Sequence, residues 1–169
     1  MKDRLKVAII GLGNMGYNHL RVVSSLSALV DIVAICDTND AQIDKARKYT
    51  LARAYSDLRT LLESEKALDA IHICTPIAFH YEQGVYALSK GKHILMEKPI
   101  CADFKQAHKL VSVAKENNAL LFPGHVERFN PVLKPLKKAL DDDKIGRITS
   151  VFVRRVGVRP PIDEKADIL

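Results

Sequence analysis

The sequence contains no tryptophan, and aromatic residues make up only 6% of its 169 residues. Its three cysteines have neither metal-binding nor redox spacing, which indicates free thiols in a reducing, cytoplasmic environment. No apolar run approaches the roughly 18 residues that cross a membrane, and we expect no signal peptide before the first apolar segment. The composition that remains, 47% hydrophobic and 27% charged, predicts a globular chain with a substantial core.

Several catalytic and binding motifs are also missing. The chain has no Gly-x-Ser-x-Gly and no Gly-Lys-Ser/Thr phosphate loop, which argues against a hydrolase and a P-loop NTPase. No histidine pair has ligand spacing joined to carboxylates, so we predict no metal site. The net charge is +6, but the basic residues are scattered among 20 acidic ones, which disfavours nucleic-acid binding. We expect the excess charge to attract an anionic cofactor.

The most informative segment is an apolar run at 5–10 that leads directly into Gly-x-Gly-x-x-Gly and then into a helical pattern. In a strand–loop–helix setting, the first glycine allows a tight turn and the second lets the backbone approach a pyrophosphate. The third glycine lets the helix pack on the strand, and the helix N-terminus attracts phosphate. We predict that this loop binds a dinucleotide through Gly11, Gly13, Asn14, Met15 and Gly16.

Asp37 stands at the end of a second apolar segment, 31–36, at 21 residues beyond Gly16. That spacing fits an acid that hydrogen-bonds the ribose of a dinucleotide. The alternative is a turn or helix-capping aspartate, since Thr38, Asn39 and Asp40 follow. Because a carboxylate repels a 2′-phosphate, the sequence favours NAD as cofactor, with NADP the less favoured.

Strand-like and helix-like segments alternate along the chain with short connections. This predicts an α/β fold, a doubly wound parallel sheet of the Rossmann type with right-handed crossovers. We predict strands at 5–10, 31–36, 52–55, 68–74, 93–96 and 119–122, and helices near 14–27, 40–48, from Ser56, 77–89, 103–117 and 130–141.

The pattern changes after Gly146, where 148–156 reads as a long strand. We therefore expect a dinucleotide-binding domain at 1–123, followed at 124–169 by a connecting helix and the first strand of a second, C-terminal α/β domain. The chain stops where that domain would begin. Without its sheet neighbours, the strand at 148–156 would favour homo-oligomer formation.

Ligands of open α/β sheets bind beyond the carboxyl ends of the strands. The residues that follow the predicted strands should therefore converge on one crevice. Lys98 is the candidate catalytic residue, because a lysine near a nicotinamide can exchange a proton with a substrate hydroxyl; the alternative is a solvated surface lysine. The other candidates after strand ends are Cys74, Thr75, Pro76, Glu97 and His125.

The histidines divide into two groups. His80 lies one turn into a helix and His125 follows a strand end, so each either faces the crevice or simply packs. The remaining four fall within helices or strands, where a packed or solvated histidine is expected; they are His19, His72, His93 and His108.

Taken together, these motifs resemble the Gfo/Idh/MocA oxidoreductases, the family of glucose–fructose oxidoreductase and inositol dehydrogenase. The segments that carry the resemblance are GLGNMGYNH at 11–19, Asp37, CTPIAFH at 74–80, MEKPI at 96–100, GHVERFNP at 124–131 and IGRI at 145–148. The resemblance implies NAD(P)-linked chemistry on a sugar, sugar nucleotide or cyclitol. It further implies that Lys98 is the active-site lysine, that Glu97 helps to hold the nicotinamide ribose, and that His125 and Arg128 lie near the substrate.

The segments GHVERFNP and RVGVRPP look most like those of members that act on UDP-N-acetylhexosamines. Two features depart from the family pattern. Ile77 stands where members often carry asparagine, and the family's second catalytic group lies beyond the end of this sequence. An alternative function is therefore a non-catalytic NAD-binding module that acts as a sensor or partner subunit.

Overall fold

The computed structural model describes residues 4–154. A six-stranded sheet has the order β3-β2-β1-β4-β5-β6, and every neighbouring pair of strands is parallel. The strands are β1 Leu5–Ile10, β2 Val30–Cys36, β3 Arg53–Tyr55, β4 Ala70–Ile73, β5 His93–Met96 and β6 Leu121–Pro123. The helices are α1 Asn14–Ser24, α2 Asp40–Ala46, α3 Leu58–Ser64, α4 Ile77–Ser89, α5 Phe104–Glu116 and α6 Leu133–Asp141.

The sheet is covered by helices on both faces, and alternate residues of β1 show why. Val7 and Ile9 pack with Leu20 of α1 in one buried cluster. Ala8 and Ile10 belong to a second cluster, which includes residues of α3, α4 and α5. A strand buried on both faces is apolar at consecutive positions, as Val7 to Ile10 are, whereas Leu5 and Lys6 at the start of β1 are exposed. The predicted doubly wound α/β fold is confirmed.

The predicted element boundaries are close to those observed, with local differences. Helix α3 is capped by Asp57, whose side chain accepts a hydrogen bond from the Thr60 amide, so the prediction of Ser56 as its start was wrong by one residue. An aspartate accepts such a bond as readily as a serine, and only the backbone decides which of two adjacent residues does so. A 3₁₀ helix at Val126–Phe129 precedes α6, which begins three residues later than predicted.

The chain divides into two compact units between Val126 and Glu127. In the second unit, residues 148–154 form no strand, contrary to the prediction for 148–156; residues 155 and 156 lie outside the described part. A β-strand requires a hydrogen-bonded neighbour, and no strand within 4–154 pairs with this segment. Its apolar side chains are exposed instead: Val151, Phe152 and Val153.

The order of strands reverses its direction between β1 and β4, which lie side by side at the centre of the sheet. Successive strands run outward from β1 to β3 on one side and from β4 to β6 on the other. At such a switch point the loops after the two central strands diverge to opposite faces and leave a crevice. The loops after β1 and β4, with that after β5, therefore form the candidate site.

Candidate functional site

Gly11 and Gly16 make the turn after β1 compact. Gly11 has φ +79°, and a Cβ atom added to it would lie 2.8 Å from the Thr75 backbone nitrogen. A Cβ atom on Gly16 would overlap the carbonyl oxygen of Gly11. Both positions therefore require glycine, because the helix, the turn and the loop after β4 approach each other through their backbones.

Gly13 differs from the other two glycines because it faces open space. A Cβ atom added to it would meet no atom within 4 Å, and its φ of −62° suits any residue. Gly13 is also the N-cap of α1, where no side chain caps the helix, whereas α2, α3 and α5 are capped by Asn39, Asp57 and Asp103.

The N-terminus of α1 is exposed and has no side-chain cap, and Gly13 before it has no side chain to fill the space. Such a helix N-terminus suits a phosphate group, because its free N–H groups can donate to the phosphate oxygens. Asn14 and Met15, the next two residues, are exposed at the same end of α1. The loop therefore fits the pyrophosphate of a dinucleotide on geometry as well as on sequence.

Asp37 lies beside this loop at the carboxyl end of β2. Its carboxylate accepts one hydrogen bond from the Leu12 amide, at 2.6 Å, and another from the Asn39 amide, at 2.8 Å. Asp37 therefore links the glycine loop to the start of α2, and its side chain is only partly buried. The carboxylate thus supports a turn and lies next to the glycine loop, and its contact with a ribose stays a prediction.

The loops after β4 and β5 are joined by His80, which is 1% exposed. Its Nε2 lies 2.7 Å from the Thr75 carbonyl oxygen and its Nδ1 lies 2.8 Å from that of Pro99. The imidazole thus bridges the turns that carry Thr75, Pro76 and the Lys98–Pro99 segment. The hydroxyl of Thr75 donates to Gln83 at 2.6 Å, which anchors the first of these turns to α4.

Glu97 and Lys98 follow β5 and have opposite environments. Glu97 is 5% exposed, and its Oε2 accepts a 3.2 Å hydrogen bond from the Lys98 amide. The Lys98 side chain is exposed.

Cys74 lies in the same region, and burial, with the nearby charge of Glu97, raises the pKa of its thiol to about 12. Cys74 is therefore a neutral packing group rather than a nucleophile.

Two histidines that the sequence assigned to ordinary packing contact this site. His19 Nε2 lies 2.9 Å from Glu97 Oε1, and His19 Nδ1 lies 3.0 Å from His72 Nδ1. His19 is three residues beyond Gly16 on α1, so it lies on the face of the helix that packs on the sheet. That spacing from the glycine loop is the signal that could have identified His19 from the sequence.

The two remaining candidates are His125 and Arg128. His125 is exposed and follows β6, with its amide donating to the Pro123 carbonyl at 2.8 Å. Arg128 is exposed in the second unit, beside a shallow groove along α6.

Among residues 4–154, no group of three or more His, Cys, Asp or Glu residues could hold a metal ion. No helix in this range is both long and apolar enough to span a bilayer.

The parallel sheet, the switch-point crevice and the open glycine loop define a dinucleotide-binding Rossmann domain. Residues 5–125 match the oxidoreductase family with an NAD-binding Rossmann fold, Gfo/Idh/MocA, and the chain belongs to that family. The resemblance stated from the sequence motifs is confirmed.

Individual relatives are dehydrogenases of cyclitols and sugar nucleotides. The chain is 39% identical over 103 residues to the scyllo-inositol 2-dehydrogenase (NADP(+)) of Bacillus subtilis, covering 61% of this chain and 30% of the relative. It is 28% identical over 135 residues to the UDP-N-acetylglucosamine 3-dehydrogenase of Acidithiobacillus ferrooxidans, covering 80% and 41%.

Among solved structures, scyllo-inositol dehydrogenase from Lactobacillus casei, with bound NAD(H) and scyllo-inositol, superimposes with a TM-score of 0.81 at 28% identity. The match covers 87% of this chain and 44% of that one. This chain thus spans less than half the length of each relative named here.

Proposed function

We propose that this chain is the cofactor-binding part of an NAD-dependent oxidoreductase that transfers a hydride between nicotinamide and a hydroxyl or carbonyl carbon. The substrate class is a sugar, a sugar nucleotide or a cyclitol. The observation that carries the proposal is the uncapped N-terminus of α1 behind Gly13, together with Lys98 after β5 of the same sheet.

The residues of the site have distinct tasks in this function. Amides at the start of α1, at Asn14 and Met15, bind the pyrophosphate, and Asp37 faces the adenosine ribose. When bound, the nicotinamide supplies the two-electron hydride chemistry. Lys98 Nζ takes the proton from the substrate hydroxyl as it becomes a carbonyl, or returns it in the reverse direction.

Other groups at the edge of the sheet support this arrangement. Glu97, Thr75 and Pro76, in the turns after β5 and β4, contact the cofactor in this proposal, and Cys74, directly after β4, is a neutral thiol. His80 holds these two turns together through the Thr75 and Pro99 carbonyls. His125 and Arg128 are proposed to contact the substrate.

The proposal extends to domain organisation and location. Residues 1–123 form the cofactor domain, and 124–169 belong to the start of a substrate domain. The exposed apolar segment at Val151–Val153 supports self-association of the chain. Three free cysteines support a reducing, cytoplasmic location.

The cofactor preference tests the proposal directly. Asp37 has no basic residue beside it that could pair with a 2′-phosphate, and its carboxylate would repel one. We therefore expect NADH to bind in the micromolar range and NADPH more weakly. Calorimetric titration of both cofactors measures this. Absence of NADH binding would refute the function, and equal or tighter NADPH binding would refute the role of Asp37.

A second candidate function is a non-catalytic NAD-binding module. It is favoured by the exposure of Lys98. Native mass spectrometry of the protein from its source cells would show its natural length and its partners. A species that binds NADH but oxidises no member of a sugar and cyclitol panel at its natural length would support this candidate.

A further inference from the structure

The side chains of His72, His19 and Glu97 contact one another in sequence near the glycine loop and are largely buried. The proposed hydride chemistry uses none of these contacts. His72 of β4 and His19 of α1 approach through their Nδ1 atoms at 3.0 Å. His19 in turn approaches Glu97 Oε1 through Nε2 at 2.9 Å. The side chains of His19 and Glu97 are 13% and 7% exposed, so water has little access to this pair.

The position of the hydrogens follows from the chemistry of the end groups. An ionised carboxylate only accepts hydrogen bonds, so His19 Nε2 carries a hydrogen and donates it to Glu97. At the other end, burial and the neighbouring His19 lower the pKa of His72 to about 4, so His72 is neutral near pH 7. Whether His19 donates to His72 or accepts from it, its Nε2–H stays directed at Glu97.

The second carboxylate oxygen connects this row to the candidate catalytic lysine. Glu97 Oε2 accepts the Lys98 backbone N–H, and a Cβ atom on Gly124 would lie only 3.2 Å from Oε1. The carboxylate is therefore enclosed by backbone and fixed at both oxygens. Through it, the helix whose N-terminus faces the phosphates is tied to the backbone of Lys98.

We propose that His19 is a positioning residue that orients Glu97, and through it Lys98, relative to the helix that binds the cofactor phosphates. His72 completes the arrangement by engaging the remaining nitrogen of the His19 ring. This inference rests on the proposed function for its effect on NADH, but its effect on Lys98 is independent of any cofactor.

The central experiment compares His19→Gln with His19→Met. A glutamine amide can still donate to Glu97 from nearly the position of Nε2, whereas methionine fills a similar volume without a donor and leaves Oε1 of the buried carboxylate without its His19 partner. We expect His19→Gln to bind NADH within about threefold of wild type and His19→Met about tenfold more weakly, since one charged hydrogen bond is worth about that factor. His108→Met, which changes an exposed histidine of α5, is the matched control.

Two NMR signals report on the arrangement without cofactor. The backbone amide of Lys98 should shift in His19→Met and stay near its wild-type position in His19→Gln. The ¹⁵N signal of His19 Nε2 should have the protonated value near pH 7 and should move in Glu97→Gln. Should His19→Met fail to fold, Glu97→Gln serves in its place, because it keeps the shape and removes the charge; it should move both signals and weaken NADH binding.

The possible outcomes separate the two proposals. If wild type binds NADH but His19→Met binds it equally well and leaves the Lys98 amide unmoved, the positioning role is refuted and the proposed function stands. If wild type does not bind NADH, the proposed function is refuted, and the Lys98 amide alone decides whether His19 positions that segment. Equal loss of binding in His19→Gln and His19→Met would also refute the role, because the retained donor would then be irrelevant.

Discussion

The three glycines of the loop after β1 meet different physical requirements. Gly13 faces open space at an ordinary φ, while Gly16 lies against the carbonyl of Gly11. We predict that Gly13→Val abolishes detectable NADH binding, because its side chain takes the place of the pyrophosphate, and changes the free energy of unfolding by less than about 1 kcal/mol. Urea denaturation and NADH titration of the same sample measure both effects.

Gly16→Ala is the matched contrast to this variant. Its Cβ atom would overlap the carbonyl oxygen of Gly11, so the fold itself should lose about 3 kcal/mol of stability. If Gly13→Val leaves NADH binding intact, the loop is a structural turn only.

His72 gives the folded chain a specific dependence on pH. Its pKa falls from 6.5 to about 4 because burial and, to a lesser extent, His19 disfavour its protonation. The unfolded chain then binds a proton between these values and the folded chain does not, so stability is full above pH 6.5 and falls as the pH drops toward 4. The loss should reach about 3 kcal/mol.

Denaturant unfolding of wild type and His72→Asn at pH 7 and pH 4.5 measures this loss. The asparagine cannot be protonated, so the variant should lose less stability than wild type over the same interval. A parallel decrease in the two proteins would assign the acid sensitivity to other groups.

The sequence identified the glycines, whose role depends on local backbone order, and it missed the contacts of His19 and His72, which depend on distant partners. Gly11 and Gly16 are recognisable because the motif itself encodes the turn. His19 and Glu97 are 78 residues apart, and His19 and His72 are 53 apart, so only the assembled sheet brings them together. His80 was assigned to the crevice or to packing, and its two carbonyl contacts depend on the path of the Pro99 turn.

At the scale of elements, the helices differ in how they begin. The side chain of Asp103 accepts a 2.9 Å hydrogen bond from the Gln106 amide at the start of α5, whereas α1 begins without a cap. We predict that Asp103→Ala lowers the free energy of unfolding by about 1 kcal/mol, while Asp103→Asn, which retains an acceptor, costs less than half of that. Urea denaturation measures both, and NADH affinity should not change, because α5 does not line the glycine loop.

Most elements of the first unit could be predicted because the order of apolar and polar residues within each segment matches the faces that the element buries. The strands β1 and β2 each end in an apolar run that is buried on both faces, and α5 has an apolar stripe with a cap, so local sequence defines both kinds of element. The segment 148–154 has the composition of a strand but no pairing partner within 4–154, and composition alone does not provide one. Pairing is a property of the assembled sheet, which explains why this prediction was wrong.

At the scale of the whole molecule, cofactor binding and catalysis place different demands on the chain. The glycine loop, Asp37 and the hydrogen bonds made by His19 and His80 all lie within the first unit. The proposed cofactor binding therefore requires only groups that this unit holds in place. Hydride transfer also requires the substrate carbon to be fixed beside the nicotinamide with water excluded, and Lys98 is exposed.

We therefore predict that the 169-residue chain, assayed alone, binds NADH but oxidises sugars, UDP-sugars and inositols very slowly. Holding two reactants in position can lower a reaction barrier by about 7–11 kcal/mol. An open edge of the sheet leaves the substrate free to move and forgoes this gain. A fusion that adds the remaining part of an inositol dehydrogenase should raise kcat/KM on that enzyme's substrate by at least about a thousandfold, because it would enclose Lys98 and hold the substrate against the cofactor. Steady-state NADH formation measures both proteins, and Lys98→Met in the fusion is the control that assigns the rate to this site. Turnover by the isolated chain at the rate of the fusion would mean that these 169 residues already enclose a complete active site.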